Sequence, residues 1–251
     1  MKPVKLFTTI LLVACVSVTG CSFLNGGKSG GAETKIPTYQ GWTTVNLKDI
    51  GTMQIPPTME VQTPEYLKKL EASVQNDPAK LVKVQKENAM GLSFNAIICQ
   101  TKGINDSGKV PAKDTKFAKA VFSIIPVQTK VPSYGKPIGL NEAQIKEFGD
   151  ITKESIMKNN EFLGTNLKFL KWEPMKSEII NGVECLHIAY ERQLGNEPSV
   201  LIDRYIFFDK DRLFTFETAY RSTEKEYWHG KDQDISNIVN TINMGAKPAQ
   251  K

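Results

Sequence analysis

Histidine is scarce in this chain, with His187 and His229 the only two in 251 residues. A metal centre wants three or four convergent ligands with supporting neighbours, so any such centre here would have to lean on carboxylates. Long apolar runs are missing after the first twenty residues. No later stretch reaches 18 uninterrupted apolar positions, so nothing in the body reads as a membrane-spanning helix. Concentrated positive charge is missing too. A formal net charge of +5 is mild, and without clustered Lys and Arg it gives no reason to expect a nucleic-acid partner. A complete phosphate-binding loop is lacking. Gly103-Ile104-Asn105-Asp106-Ser107-Gly108-Lys109 fits the glycine and lysine spacing, but Val110-Pro111 stands where a Mg²⁺-binding hydroxyl and a helix are needed, so the segment reads as a surface loop.

What the chain does have is a distinctive beginning. Lys2 and Lys5 precede an apolar stretch from Leu6 to Val18, followed by Val18-Thr19-Gly20-Cys21. A basic start, a short hydrophobic segment and small residues at a cut form an export signal. The stretch is well short of the ~20 residues that a spanning helix needs. The Val-Thr-Gly-Cys ending resembles the lipobox of bacterial lipoprotein precursors. That resemblance implies that residues 1–20 are a lipoprotein signal peptide and that Cys21 becomes the lipidated first residue of the mature protein. A diacylglyceryl group supplies two chains, which anchor stably where one chain binds marginally. A plain secretory signal that leaves Cys21 bare is the alternative. Ser22, by the sorting rule of the same family, permits the outer membrane in two-membrane bacteria.

Residues 21–36 carry the lipidated Cys and a Gly/Ser-rich tether that includes Asn25-Gly26-Gly27-Lys28-Ser29-Gly30-Gly31. As a flexible coil it spans roughly 20 Å, enough to hold a body just clear of the headgroups. Loss of Lys2 and Lys5 with the leader leaves little net charge. A weak attraction to an anionic membrane surface, about 1 kcal/mol per well-placed basic residue, is possible, but a solvated surface is the preferred reading. The body, residues 37–244, has the size of one domain, with two small ones as the alternative, and residues 245–251 form a polar tail. A hydrophobic content of 40% and a charged content of 24% describe an ordinary globular protein. Cys15 leaves with the leader and Cys21 takes the lipid, so Cys99 and Cys185 remain. In an exported protein they invite a disulfide. Burial of each as a small free hydrophobe is the alternative.

The pattern along the body alternates between sheet and helix. Trp42–Leu47 and Gly51–Ile55 read as short strands, the second stopped by Pro56-Pro57. Pro64–Gln75 has Leu67, Leu70 and Val74 at helical spacing. Asp77-Pro78 opens a further short helix through Val84. Leu92–Thr101 and Phe117–Thr129 read as long strands. Asn141-Glu142-Ala143-Gln144 is a capping-box arrangement opening a helix to about Lys158. Then come strands over Lys168–Ile179, Val183–Gln193, Val200–Phe208 and Leu213–Tyr220, with Asn181-Gly182 as a hairpin signal. Thr223-Glu224-Lys225-Glu226 reads as a second capping box. Ile235, Ile238, Val239 and Ile242 give a final helix one buried face. Hairpin-joined strands are antiparallel, so the class is α/β of the α+β type, with helices able to cover both faces of an antiparallel sheet.

Several short segments resemble PsbP-like proteins. They are Gly51-Thr52-Met53-Gln54-Ile55-Pro56-Pro57-Thr58-Met59, Ile180-Asn181-Gly182, Ala189-Tyr190-Glu191-Arg192, Arg212-Leu213, Ala219-Tyr220-Arg221, and Glu226 with Trp228 ahead of the Ile-rich end. The resemblance runs over residues 41–243. It implies an α/β/α sandwich around an antiparallel sheet, and a family made up mostly of non-catalytic accessory and binding proteins.

Candidate chemistry is thin. Cys185 and His187 lie two apart on one strand face, conceivable as a nucleophile and base, although packed side chains are the simpler reading. His229, Asp232 and Asp234 could form a small ligand cluster, but an Asp ahead of the last helix is better explained as its cap. Asp209-Lys210-Asp211 lacks the glycine and distal Glu of a calcium loop and reads as a turn. Glu191-Arg192 and Asp203-Arg204 suggest cross-strand ion pairs or, alternatively, a polar pocket lined by Tyr190, Tyr205, Tyr220, Tyr227 and Trp228. The expectation is a non-enzymatic, membrane-anchored lipoprotein of the cell envelope, with a protein partner there and neither cofactor nor metal. An envelope hydrolase and a small solute-binding lipoprotein are the alternatives.

Overall fold

A computed structural model of the chain describes residues 36–48, 50–93, 95–108, 115–230 and 234–245, without the side chains of 90–93. Cys21, the leader, the tether and the tail after Gly245 lie outside the described residues. In chain order the elements are β1 (Thr43–Asn46), β2 (Gly51–Ile55), β3 (Met59–Val61), α1 (Pro64–Ser73), α2 (Pro78–Ser93), β4 (Ile97–Thr101), α3 (Ile104–Ser107) and β5 (Ala118–Pro126). They continue with α4 (Glu142–Phe162), β6 (Leu167–Trp172), β7 (Lys176–Ile180), β8 (Val183–Leu194), β9 (Val200–Asp209) and β10 (Arg212–Arg221). After a short 3-10 turn come α5 (Lys225–Trp228), a longer 3-10 helix (Ile235–Thr241) and β11 (Asn243–Met244).

The fold is α+β around an antiparallel sheet. Its main sheet has eight strands, ordered β3-β4-β5-β10-β9-β8-β6, with β7 also on β8. Two tight turns set the registers of the meander. Asn181 and Gly182 both take positive φ between β7 and β8, and Lys210 does so between β9 and β10.

Alternation along the strands divides the sheet into two faces. The first face carries Ala118, Ala120, Phe122, Phe207, Phe214 and Phe216, which form the largest core cluster. That cluster is covered by a small sheet, β1-β2-β11, together with α5 and the 3-10 helix. The second face carries Leu186, Ile188, Ile206 and Leu213, which pack against Ile145 and Phe148 of α4. Of the two outer layers, one is thus built of long helix and the other mainly of a small sheet and 3-10 turns. At the far end of the second face, Glu87 of α2 comes within electrostatic reach of Lys119 on β5.

Local chemistry explains where the elements depart from the sequence expectation. Lys168–Ile179 is not one strand. Pro174 cannot donate to the ladder, so the chain breaks into β6 and β7, which both pair with β8. Leu92–Thr101 is not one strand either. With helix formers such as Ala79, Leu81, Lys83, Gln85, Lys86 and Ala89, α2 continues to Ser93, well past Val84, and Asn95 at φ 48° turns the chain into β4. The Asn141 capping box forms as expected, and α4 extends beyond Lys158 to Phe162. Thr223–Glu226 does not make a capping box, because Thr223 lies inside the 3-10 turn Ser222–Glu224 and α5 starts without a side-chain cap; the Glu224 carboxylate beside it is a structural anchor instead. It accepts from Phe117 N at 2.9 Å, Trp228 Nε1 at 2.9 Å and Arg221 Nη1 at 3.2 Å.

The final helix is 3-10 rather than α. A three-residue turn stacks Ile235, Ile238 and Thr241 in one buried line. The Thr241 hydroxyl accepts from Gln54 N at 2.8 Å and lies 2.7 Å from Ile238 O, its acceptor, which ties this helix to β2. Next to it, β2 and β11 approach so closely that a Cβ on Gly51 would lie 2.1 Å from Asn243 O. Only glycine fits at that crossing. Among the described residues no helix is long and apolar enough to cross a membrane.

Candidate functional site

The polar side chains of the first face gather at the β7-β8-β9-β10 end of the sheet. Strand alternation sends His187 of β8 to this face, directly opposite Tyr205 of β9. The two rings stack at 4.3 Å with an angle of 7° between their planes. His187 Nε2 lies 3.2 Å from Asp203 Oδ1, and Nδ1 lies 3.3 Å from Glu178 Oε2, an ion-pair distance without hydrogen-bond alignment. The imidazole is therefore buried between two carboxylates and held flat against a phenol. The Tyr205 phenol is pushed upward, first by burial and then by Asp203 and Glu178.

A second imidazole sits one strand further along. Tyr220 of β10 places its hydroxyl 2.7 Å from His229 Nε2, and His229 Nδ1 lies 3.1 Å from Asp234 Oδ1. Asp234 also accepts from Ser236 N at 3.0 Å, capping the 3-10 helix as its place in the sequence suggests. The carboxylate favours the tautomer with its proton on Nδ1, so Nε2 accepts from the phenol. Burial, then Asp203 and Asp234, push the Tyr220 hydroxyl up to about 12. It is a hydrogen-bond donor at neutral pH, not a phenolate nucleophile. Asp203 thus acts on both His187 and Tyr220, and both histidines of the chain belong to one polar row.

The sequence anticipated some of these residues but not their partners. His187 has carboxylates at both ring nitrogens, so it does not serve as a base for Cys185. His229 and Asp234 are in contact, while Asp232 lies outside the described residues. Among the described residues no group of three His, Cys, Asp or Glu side chains is arranged to hold a metal ion. Asp203 and Arg204 point to opposite faces. Arg204 pairs with its cross-strand neighbour Glu217, donating from Nε at 2.7 Å and also from Nη2 to the same carboxylate oxygen. Tyr220 was among the aromatics expected to line a polar pocket, whereas Glu178 carries no sequence signal of its own. They enter the row only because the meander brings β7 and β10 to the two sides of β8 and β9.

The disulfide suggested by Cys99 and Cys185 does not form, and both are free buried thiols. Cys99 is on β4 and Cys185 on β8, with β5, β10 and β9 between them. Four strand steps of ~4.8 Å put the Cα atoms about 19 Å apart, far beyond the ~7 Å that a disulfide bridges. Burial pushes both thiols up to about 12, which makes them inert. A maleimide reagent is therefore expected to leave Cys99 and Cys185 unlabelled in the native protein and to label both after denaturation without reductant. A linked peptide containing both cysteines in the unreduced digest would contradict the assignment.

No protein-family model and no curated protein matches the chain. Solved structures do. The solution structure of cyanobacterial PsbP (CyanoP) from Synechocystis sp. PCC 6803 is 9% identical, with a TM-score of 0.42 over 88% of this chain and 98% of that one. The crystal structure of PA94 from Pseudomonas aeruginosa, a protein of unknown function described as a candidate regulator, is 12% identical. It has a TM-score of 0.32 over 75% of this chain and 88% of that one.

Proposed function

We propose that the protein is an exported lipoprotein, held to a membrane of the cell envelope by a lipid on Cys21, whose body is a PsbP-like accessory or binding module rather than an enzyme. The observation that carries this reading is the leader. Lys2 and Lys5, the apolar Leu6–Val18 and Val18-Thr19-Gly20-Cys21 fall in the order that export and lipidation require. The first-face row supports binding over covalent chemistry. Each imidazole there already faces carboxylates or a phenol of the same chain, and the Tyr220 hydroxyl and Cys185 thiol are both pushed far from reactivity. The partly exposed members of the row, Glu178, Asp203, Tyr205 and His229, are the groups an envelope partner would meet.

Metabolic labelling with radioactive palmitate tests the anchor. Wild type is expected to take up label and sediment with membranes, and Cys21→Ala to lose both properties. Equal labelling of the two would remove the basis of the proposal.

A further inference from the structure

The second face of the main sheet holds an excess of positive charge where water is scarce. Lys119 of β5, Arg192 of β8 and Arg204 of β9 all belong to this face, with Glu217 of β10. Arg204 and Glu217 neutralise each other. Lys83 and Glu87 of α2, at the edge of the group, face each other at 4.0 Å. Lys119 and Arg192 are different, since neither side chain makes a hydrogen bond or ion pair among the described residues, and Lys119 Nζ has only the Phe117 ring, 5.7 Å from its centroid. The Arg192 Nε is buried with no acceptor. Burial pushes Lys119 below its usual range. Glu87 and Glu217 resist that shift, and Arg192 and Lys83 reinforce it, so Lys119 and Arg192 feel each other.

The ground between them is low and apolar. Ala219 stands opposite Lys119 in register, Ile202 opposite Ala219, and Tyr190 opposite Ile202. Ala219 and Val200 remain only half-buried, although strands flank them on both sides. Above, α2 and α4 meet where Lys86 Nζ donates to Phe162 O at 2.9 Å. The result is a half-covered apolar patch of sheet beside two cations whose side chains make no ion pair among the described residues. Desolvating a cation without a partner is costly, and a bound anion offsets that cost.

We infer that this patch binds a phosphate monoester, with the Arg192 guanidinium and the Lys119 ammonium as its positive ligands and the half-buried Ala219 and Val200 beneath its carbon portion. Two unmatched positive charges suit a dianion. A guanidinium fork suits phosphate oxygens. The inference does not depend on the lipid anchor or on the first-face row.

Calorimetric titration of the full chain in a non-ionic detergent tests it, with three ligands compared. Phenyl phosphate represents a soluble monoester, dihexanoyl phosphatidic acid a lipid headgroup, and benzoate a monoanion of similar bulk. At least one of the two monoesters is expected to bind saturably and more tightly than benzoate, and the tighter of the two identifies the source. Arg192→Gln and Lys119→Met should each weaken that binding about tenfold or more, with Arg192→Lys between. Lys119→Met should also melt no lower than wild type without ligand, since it removes an unmatched cation, and should lose the ligand-induced rise in Tm. Absence of binding by both monoesters, benzoate binding equally well, affinities unchanged in the variants, or a lower Tm for ligand-free Lys119→Met would each overturn the inference.

Discussion

Trp228→Ala is expected to destabilise the fold by about 4 kcal/mol, the usual range for a large aromatic removed from a packed core. Trp228 is 0% exposed and belongs to the largest core cluster, in the layer that closes the first face. The lost volume is only part of the effect. The indole Nε1 donates to Glu224, whose carboxylate also holds the start of β5 through Phe117 N and the guanidinium of Arg221. Truncation therefore opens a cavity and loosens a carboxylate that joins α5, β5 and β10. Trp228→Phe separates the two contributions. It keeps most of the packing and loses the donor, so its cost should be about 1–2 kcal/mol. Urea unfolding of the three proteins, with m-values compared, is the measurement. A loss of less than 2 kcal/mol for Trp228→Ala would show that the first-face layer contributes little to the fold.

Glu217→Ala should cost about 3 kcal/mol, by stranding the Arg204 guanidinium in the sheet. Burial opposes the charge on Arg204, yet Glu217 more than compensates and holds it above its ordinary range. The side chains are 26% and 18% exposed, which places the effect at the low end for a buried pair. The paired change Arg204→Met with Glu217→Leu should recover most of the loss, because an apolar pair of similar volume avoids the desolvation of two charges. Thermal melts of the two single variants and the double variant decide it. A double variant as unstable as Glu217→Ala would show that the ion pair itself, not merely its completeness, stabilises the sheet.

How much of this was legible depends on the range of the interaction. The β7-β8 and β9-β10 hairpins were readable because Asn181-Gly182 and the turn at Lys210 are local signals flanked by β-rich runs. The start of α4 was readable because Asn141 and Gln144 cap within one turn. The β6/β7 break was marked by Pro174, yet its outcome was not, since only the tertiary structure shows both pieces returning to the same strand. The final helix had the right buried residues and the wrong pitch. Its isoleucines suit either helix type, and the hold of Thr241 on Gln54 accompanies the tighter one. The histidine row was least legible. His187, Asp203 and Tyr220 are separated in sequence and strand register makes them neighbours, while the end of α5 returns His229 to Tyr220. In the same way, cross-strand register separates Arg192 from any acceptor and gives Arg204 its Glu217.

The seam at Gly51 and Asn243 has a kinetic consequence. The first-face core is closed by a sheet whose middle strand comes from the start of the domain and whose edge, β11, comes from its last residues. Gln54 and Thr241, 187 positions apart, hold the same seam together. A chain still being synthesised therefore has no means of completing this layer until Thr241 to Met244 have emerged, and contacts this distant form late and slowly. Until then the first-face core of a nascent chain stays uncovered on this side.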